Sequence, residues 1–327
     1  MIGARRLPTH RDAFDGVVWK KPAKRPRSKT TPGPAWRTTP RGPRRGVCLG
    51  WRGLLKRFMT VLSDADLRSL LAFIDELADA ARAAVLPFFR QSLSVENKAL
   101  KGFDPVTEAD RAAESAMRAL IVSRYPHHAV LGEEFDDIGG SSPWRWILDP
   151  IDGTRAFISG LPTWGVLIGL THEGAPVLGA LDQPYLQERF VGFPGGAVFR
   201  NPQGERALTV RSCTVLTDAT LSTTDPELFS PSEKGAFDQV RAATRLTRLG
   251  LDCYAYGMLA AGHIDLVIES GLKPFDILPL APIIEGAGGV LTDWRGRPVR
   301  GGGQVVAAAS REILEEARIA LRRSAIG

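Results

Sequence analysis

The amino-acid sequence predicts a layered α/β fold. Two helical patterns come first, a series of short strands follows, and strands and helices alternate from residue 219 onward. Such alternation is typical of sheets covered by helices. The sequence contains no internal repeat, no coiled-coil heptad and no apolar run of 18 residues, so we expect a soluble protein with no membrane partner.

Residues 1–58 differ in composition from the rest of the chain. They contain 16 Lys and Arg residues against two acids, whereas residues 59–327 contain 26 basic and 34 acidic residues. The segment also has seven prolines and no sustained apolar periodicity, so we expect a disordered basic tail. It could be an arm for nucleic acid or another anionic surface, a targeting peptide, or residues translated ahead of a true start at Met59. We favour the last, because Met59 directly precedes the first helical pattern.

Residues 59–327 are predicted to form one domain of two tightly joined halves, about 59–210 and 211–327. The first half opens with helices at about 64–90 and 107–124, the second of them capped by Thr107. A meander of strands, punctuated by Gly and Pro, is predicted at 164–171, 176–181, 188–192, 197–200 and 206–210.

The second half is predicted to alternate between strands and helices. The strands are expected at 219–223, 244–248, 264–268 and 304–309. The helices are expected at 233–242, 252–262, 276–287 and 311–323.

One stretch of the first half, residues 146–154, brings two carboxylates, a glycine and a hydroxyl to a single turn. Residues 146–148 have the pattern of a buried strand, Pro150 is expected to end its ladder, and Gly153 permits a tight turn into a helix. Asp149 and Asp152 should therefore converge.

Two further segments end in acids. Glu133 and Glu134 follow an apolar run, and Asp276 opens the helical pattern that begins at Ile277. If Glu133 and Asp276 join Asp149 and Asp152, each pair of like charges about 4 Å apart costs roughly 4 kcal/mol at an effective dielectric constant of 20. Such a cluster needs cations.

The ligand types indicate the metal and the chemistry. Carboxylate oxygens without Cys or His favour Mg²⁺ or Mn²⁺ over Zn²⁺. Two such ions can bind phosphoryl oxygens and activate a water molecule. The backbone amides of Gly153 and Thr154, at the start of a helix, are expected to face the phosphate. These residues predict hydrolysis of a phosphate monoester, with no obvious nucleophile for a phosphoenzyme.

Several motifs together resemble the inositol monophosphatase superfamily. They are Gly-Glu-Glu at 132–134, Asp-Pro-Ile-Asp-Gly-Thr at 149–154, and Asp276 ahead of Gly-Ala-Gly-Gly at 286–289. Further details resemble its histidinol-phosphatase branch, namely Asp182-Gln183-Pro184, Ser222-Thr223-Thr224, Asp252-Cys253-Tyr254-Ala255-Tyr256-Gly257 and Lys273-Pro274-Phe275-Asp276. The resemblance implies a five-layer α-β-α-β-α sandwich, with metals near the junction of the halves, and a homodimer.

The resemblance also implies roles for individual residues. Its metal ligands are Glu133, Asp149, the Ile151 carbonyl, Asp152 and Asp276, for two or three Mg²⁺ ions, with Mn²⁺ as an alternative. Glu133, Asp152 and Thr154 would be catalytic, with Thr154 and Glu133 orienting the attacking water. Asp110 resembles an acid that supports a further, weaker metal position.

Substrate choice is expected to depend on groups beyond the phosphate. Gly153, Thr154 and Asp276 are expected to contact the substrate at its phosphate end. Histidinol phosphate carries an ammonium and an imidazole, which carboxylates suit. The candidates are Asp252, which could equally be a helix cap, and Glu269, which matches a substrate-binding Glu of the family. Arg155 stands where inositol enzymes often have a second threonine, which weakens but does not exclude the prediction of an inositol phosphate substrate.

The sequence therefore predicts a Mg²⁺-dependent histidinol-phosphatase of histidine biosynthesis. An inositol-1-monophosphatase or a broad sugar-phosphate phosphatase is the closest alternative. A nucleic-acid-binding protein that works through its basic tail is a third possibility, which we disfavour. Cys48, Cys213 and Cys253 form neither a disulfide framework nor a zinc motif, so we expect the cytoplasm.

Overall fold

The computed structural model describes residues 62–91, 95–97 and 105–326. The predictions of a disordered tail at 1–58 and of a start at Met59 lie outside these residues.

Two long helices open the described chain, and each begins with a reciprocal cap. Helix α1 spans Asp64–Val85 and helix α2 spans Glu108–Arg124. The Ser63 hydroxyl accepts from the Asp66 N–H at the start of α1, and Thr107 and Asp110 form the equivalent box at the start of α2. Helix α1 ends five residues before the predicted position 90, because the chain turns at residues 86–90.

Within the described residues, seven strands form the larger sheet, in the order β3-β4-β5-β6-β7-β8-β9. They are β3 Ala129–Gly132, β4 Trp144–Asp152, β5 Gly165–His172, β6 Ala175–Gln183, β7 Glu188–Phe193, β8 Gly196–Asn201 and β9 Gly204–Ala207. Strands β3 and β4 are parallel, and the later neighbours are antiparallel. A two-stranded ribbon, β1 Glu96–Asn97 and β2 Pro105–Val106, precedes this sheet in the chain.

Five strands of the described chain form the second sheet, in the order β11-β10-β12-β14-β13. They are β10 Thr220–Thr223, β11 Leu246–Leu249, β12 Leu266–Leu272, β13 Val290–Asp293 and β14 Gly303–Ala308. The helices that alternate with them are α4 Pro231–Ala243, α5 Asp252–Ala260, α6 Pro274–Ile277, α7 Ala281–Gly286 and α8 Arg311–Leu321. Helix α3, Thr154–Ile158, belongs to the first half.

The elements stack in five layers. Helices α1 and α2 contact each other and one face of the seven-stranded sheet, while α7 packs on β6, β7 and β8 from the other side. Helices α5 and α7 also contact the five-stranded sheet, through β12 and β13, and α8 packs on β14 beside α4. The layered α/β fold is thus confirmed. Its core is dominated by aromatic and aliphatic side chains, including the fully buried Trp146, Trp164 and Trp294.

The predicted helix at 276–287 is wrong, because two shorter helices, α6 and α7, replace it. Pro279 lies between the two helices, and Pro282 lies in the first turn of α7. Proline lacks the N–H that a continuous helix needs. The break brings Pro279 against the seven-stranded sheet. A Cβ at Gly179 would overlap the Pro279 carbonyl oxygen, so the glycine permits this close approach. Helix α6, which carries Asp276, contacts β4 and β5 of the same sheet.

The prediction that Pro150 ends its strand is also wrong. Strand β4 continues to Asp152, and its register with β5 shifts between Asp149 and Asp152. Pro150 can lie in this bulged part of the strand, because a residue at a β-bulge does not have to donate a backbone hydrogen bond to the neighbouring strand. In the described part of the chain, no helix is both long and apolar enough to cross a membrane.

Candidate metal centre and active site

The parallel pairing of β3 and β4 brings the first two predicted acids together. Gly132 lies opposite Leu148, so Glu133 and Asp149 follow at the same level of the sheet. Asp149 is 1% exposed, and Glu133 is half-buried. Burial raises the pKa of Asp149 well above its ordinary value, and the charge of Glu133 adds to this effect.

Three aspartates form the centre of the cluster. One carboxylate oxygen each from Asp149, Asp152 and Asp276 lies within 4.8 Å of the others. The bulge in β4 turns Asp152 toward the same point as Asp149, and the short helix α6 delivers Asp276 from the second half. The structure therefore brings Asp149, Asp152 and Asp276 together, and Glu133 lies beside Asp149 at the same level of the sheet.

Backbone groups fix the orientation of these carboxylates. The Ile151 N–H donates to Asp149 Oδ1 at 3.1 Å, the Cys253 N–H to Asp152 Oδ2 at 2.6 Å, and the Lys273 N–H to Asp276 Oδ2 at 2.7 Å. Sequence patterns did not indicate the contributions of Cys253 and Lys273, because each backbone donor reaches the site through tertiary packing. Each bond leaves the second oxygen of its carboxylate for another partner.

The electrostatics of the cluster are unfavourable without a cation. Burial, followed by the charge of Asp276, raises the pKa of Asp152 well above its ordinary value. Burial also raises the pKa of Asp276 to about 6, although the Lys273 N–H opposes the shift. Raised pKa values of this kind mean that the charged forms are destabilised by desolvation and mutual repulsion. A divalent cation would offset both terms.

Asp110 provides a separate indication of a cation. Its Oδ2 accepts from the Thr107 N–H and hydroxyl, at 2.8 and 2.6 Å, whereas its buried Oδ1 has no hydrogen-bond partner among the described residues. Burial raises the pKa of Asp110 to about 6, and the charges of Glu134 and Glu133 add to this effect. A buried carboxylate oxygen without a partner is costly, and a hard metal ion would satisfy it.

Thr154 and Gly153 occupy the turn beside the cluster. The Thr154 hydroxyl donates to the Ile151 carbonyl at 3.1 Å, so both predicted groups lie in one turn. Gly153 has φ +86°, and helix α3, which starts after it, has only five residues. The amides of Gly153 and Thr154 are therefore placed by a tight turn, while a helix this short adds little dipole.

Asp252 lies directly against this turn. A Cβ at Gly153 would be 3.0 Å from both Cβ and Cγ of Asp252. Asp252 itself has φ +45° and is the first residue of α5, with no cap formed by its side chain. The helix-cap alternative for Asp252 is therefore wrong. Burial raises the pKa of Asp252 to about 6, and nearby Arg155 lowers it.

Glu269 lies in β12 and is held by the end of β10. Its Oε1 accepts from the Thr224 N–H at 2.7 Å and the Thr224 hydroxyl at 3.0 Å, and its Oε2 accepts from the Thr223 hydroxyl at 3.2 Å. Burial raises the pKa of Glu269 to about 7, and the charge of Asp252 contributes. Asp252, which packs against Gly153, thus lies beside the aspartate cluster, and its charge acts on Glu269.

The donor set fits hard divalent cations. All the converging side chains are carboxylates, no His or Cys is among the described groups that could hold an ion, and one buried oxygen lacks a partner. Oxygen ligands of this type would suit Mg²⁺ or Mn²⁺.

Comparison with known proteins finds relatives across this region. The chloroplastic bifunctional phosphatase IMPL2 of Arabidopsis thaliana is 44% identical over 238 residues, which is 72% of this chain and 67% of that protein. A histidinol-phosphatase of Chlorobaculum parvum is 38% identical over 226 residues, 68% of this chain and 85% of that protein. An inositol monophosphatase structure from Zymomonas mobilis superposes with a TM-score of 0.70 at 42% identity, covering 78% of this chain and 98% of that one.

The sequence profile of the inositol monophosphatase family matches residues 66–326. Enzymes of this family are metal-dependent phosphatases, and the carboxylate cluster agrees with that chemistry. The chain therefore belongs to the inositol monophosphatase family.

Proposed function

We propose that this protein hydrolyses histidinol phosphate to histidinol and phosphate, with Mg²⁺ as its cofactor, as a step of histidine biosynthesis. The observation that carries the proposal is a pair of buried carboxylates: Asp252 packs against Gly153 beside the aspartate cluster, and Glu269 is held by Thr223 and Thr224. They offer negative charge where the alcohol part of a phosphate monoester would extend. A substrate with an ammonium and an imidazolium group would be favoured there.

In this proposal five groups hold the metal ions. They are the side chains of Glu133, Asp149, Asp152 and Asp276, together with the carbonyl of Ile151, and the number of Mg²⁺ ions is two or three. Bound cations would supply charge neutralisation of the phosphoryl oxygens and a lowered pKa for a bound water. Mn²⁺ would fit the same oxygen ligands.

The remaining groups act on the substrate and the water. Thr154 and Glu133 orient the water for attack on phosphorus, and Asp152 fixes the geometry through its bond from the Cys253 N–H. The amides of Gly153 and Thr154 face the phosphate, and Asp276 approaches the same end of the substrate. In this arrangement water attacks phosphorus directly, and no protein side chain forms a covalent intermediate.

The relatives support this assignment and also define its alternative. The Chlorobaculum protein is called a histidinol-phosphatase, and the Arabidopsis protein is called bifunctional. The Zymomonas structure is called an inositol monophosphatase and has 42% identity, so inositol 1-phosphate is the second candidate substrate. The metal ions would bind the phosphate group of any monoester in the same way. Asp252 and Glu269 would therefore select between histidinol phosphate and inositol 1-phosphate.

Substitution of the two carboxylates tests the proposal. We expect Asp252→Asn and Glu269→Gln each to raise KM for histidinol phosphate by about tenfold or more, since a charged hydrogen bond contributes about 1.5–3 kcal/mol. Hydrolysis of inositol 1-phosphate should change much less. Equal losses on both substrates would show that these residues support the fold or the metals, and would count against the proposed specificity.

A further inference from the structure

A buried ion pair on helix α2 has no part in the chemistry above. Glu114 and Arg118 are 0% and 8% exposed, and Arg118 Nε donates to Glu114 Oε1 at 2.7 Å. Pairs spaced by four residues on a helix usually lie in solvent and contribute little. Here both charges are desolvated, which costs free energy that the pairing alone need not recover. The contacts of the pair indicate what else it does.

The other polar atoms of the pair bind the backbone of the turn after β3. The Glu134 N–H donates to Glu114 Oε2 at 2.8 Å. Arg118 Nη2 donates to the Phe135 carbonyl at 3.0 Å, and Nη1 donates to the Asp136 carbonyl at 2.9 Å. Two side chains therefore hold three successive residues of one turn.

Gly132 closes the other side of this arrangement. A Cβ at Gly132 would overlap Glu114 Oε1 and would lie 2.8 Å from Arg118 Nη2. The absence of a side chain at this position lets the ion pair reach under the end of β3. Glu133 stands between Gly132 and Glu134, so the pair touches the chain immediately before and immediately after it.

We propose that Glu114 and Arg118 are positioning residues that hold the Glu133 carboxylate in place for the metal. They act through the backbone of residues 134–136, to which their side chains are hydrogen-bonded, and through their close approach to Gly132. The inference rests on the proposed function only in taking Glu133 as a metal ligand. A ligand that is already fixed loses less conformational freedom when a cation binds, so the metal affinity rises.

The test is a double-mutant cycle with metal binding as its readout. Mg²⁺ binding to the full chain is measured by isothermal titration calorimetry, without a phosphate ester, for the wild type, Arg118→Lys, Glu133→Gln and the double variant. Lysine keeps the charge but lacks the planar fork of N–H donors through which Arg118 spans a carboxylate and two carbonyls. We expect Arg118→Lys to weaken Mg²⁺ binding about tenfold, as for other groups that orient metal ligands.

The Glu133→Gln background shows whether the effect passes through Glu133. Glu133→Gln alone should weaken Mg²⁺ binding, and adding Arg118→Lys should then change the affinity by less than about twofold, because coupled residues are not additive. Additive losses, or an unchanged affinity in either single variant, would overturn the inference. If Arg118→Lys does not fold, Glu114→Gln is used in the same cycle with the same expectations.

Arg211→Lys, at an ion pair whose arginine is more exposed, provides the control. Arg211 Nε donates to Asp265 Oδ1 at 2.9 Å, and the fully buried Asp265 also accepts from the Thr220 N–H, so this pair likewise joins a guanidinium, a carboxylate and backbone. We expect Arg211→Lys to lower Tm but to leave Mg²⁺ affinity unchanged. If Arg118→Lys behaves in the same way, its role is only structural. A failure to prefer histidinol phosphate would overturn the proposed substrate but would not alter these binding results.

Discussion

At the scale of single residues, the position of each acid relative to its strand explains the site. Glu133 and Asp149 follow apolar runs, and the parallel register of β3 and β4 places them side by side. This convergence could be predicted from the sequence, because residue type and the ends of apolar runs are local properties. The contact between Asp252 and Gly153 could not, because it depends on long-range packing and on φ +45° at Asp252.

Asp149→Asn tests the metal assignment at this scale. Asp149 is buried among other acids, so removing its charge should weaken Mg²⁺ binding and lower kcat by at least about a hundredfold, given that even groups outside the ligand set cost 10–100-fold. The measurement is the Mg²⁺ dependence of phosphate release, with Asp218→Asn, an exposed acid, as the control. An active Asp149→Asn variant with unchanged Mg²⁺ dependence would show that Asp149 is not a ligand.

At the scale of secondary-structure elements, irregularities in strands and helices deliver the ligands. The predicted types of most elements agree with the structure, with ends displaced by a few residues, as for the predicted helix at 252–262, which is α5 at Asp252–Ala260. Two predictions were wrong around prolines. Pro150 lies within a bulged β4, and the predicted helix at 276–287 is divided into α6 and α7. The sequence shows where each proline lies, but the effect of that proline on a strand or helix depends on tertiary packing, which local propensity does not describe.

Gly179→Ala tests whether the break between α6 and α7 positions Asp276. The new methyl group would overlap the Pro279 carbonyl oxygen and push the segment away from the sheet. We expect a loss of about 1–3 kcal/mol in unfolding free energy together with weaker Mg²⁺ binding.

The matched control is Gly235→Ala on the exposed side of α4, where nothing lies within 4 Å of the new atom. This change should stabilise the protein by about 0.5–1 kcal/mol and should leave Mg²⁺ binding unchanged. Normal Mg²⁺ binding by Gly179→Ala would refute a link between the break and the ligand.

At the scale of the whole molecule, stability and metal binding are linked through the buried acids. The pKa values of Asp252 and Asp276 are about 6 and that of Glu269 is about 7 in the metal-free fold, against about 4 in an unfolded chain. Between these values the folded state binds more protons than the unfolded state. The stability of the metal-free protein should therefore fall as pH rises from about 4 to about 7.

Thermal unfolding in EDTA and in excess Mg²⁺ measures this linkage. Mg²⁺ requires the deprotonated ligands, so its stabilisation should be larger at about pH 7.5 than at about pH 5. At a hundred times its Kd, a ligand contributes about 2.7 kcal/mol, or roughly 5–10 °C in Tm for a domain of this size. A Tm in EDTA that rises steadily over the same pH range would contradict the raised pKa values.

The layered architecture could also be anticipated at this scale, since alternating elements and the family motifs both indicate it.

The basic segment 1–58 lies outside the family match at 66–326. We propose that it is dispensable for catalysis. Deletion of residues 1–58 should leave kcat/KM within about twofold of the full chain, which is below 0.5 kcal/mol. A large loss of phosphatase activity on deletion would instead assign the segment a working role.

The most direct test of the account is the substrate preference of the full chain. Phosphate release is measured with Mg²⁺ for histidinol phosphate and for inositol 1-phosphate, at matched concentrations below KM, and the kcat/KM values are compared. We expect a preference for histidinol phosphate of about a hundredfold or more, since two charged contacts of about 1.5 kcal/mol each would supply it. An equal rate on both substrates, or a preference for inositol 1-phosphate, would contradict it.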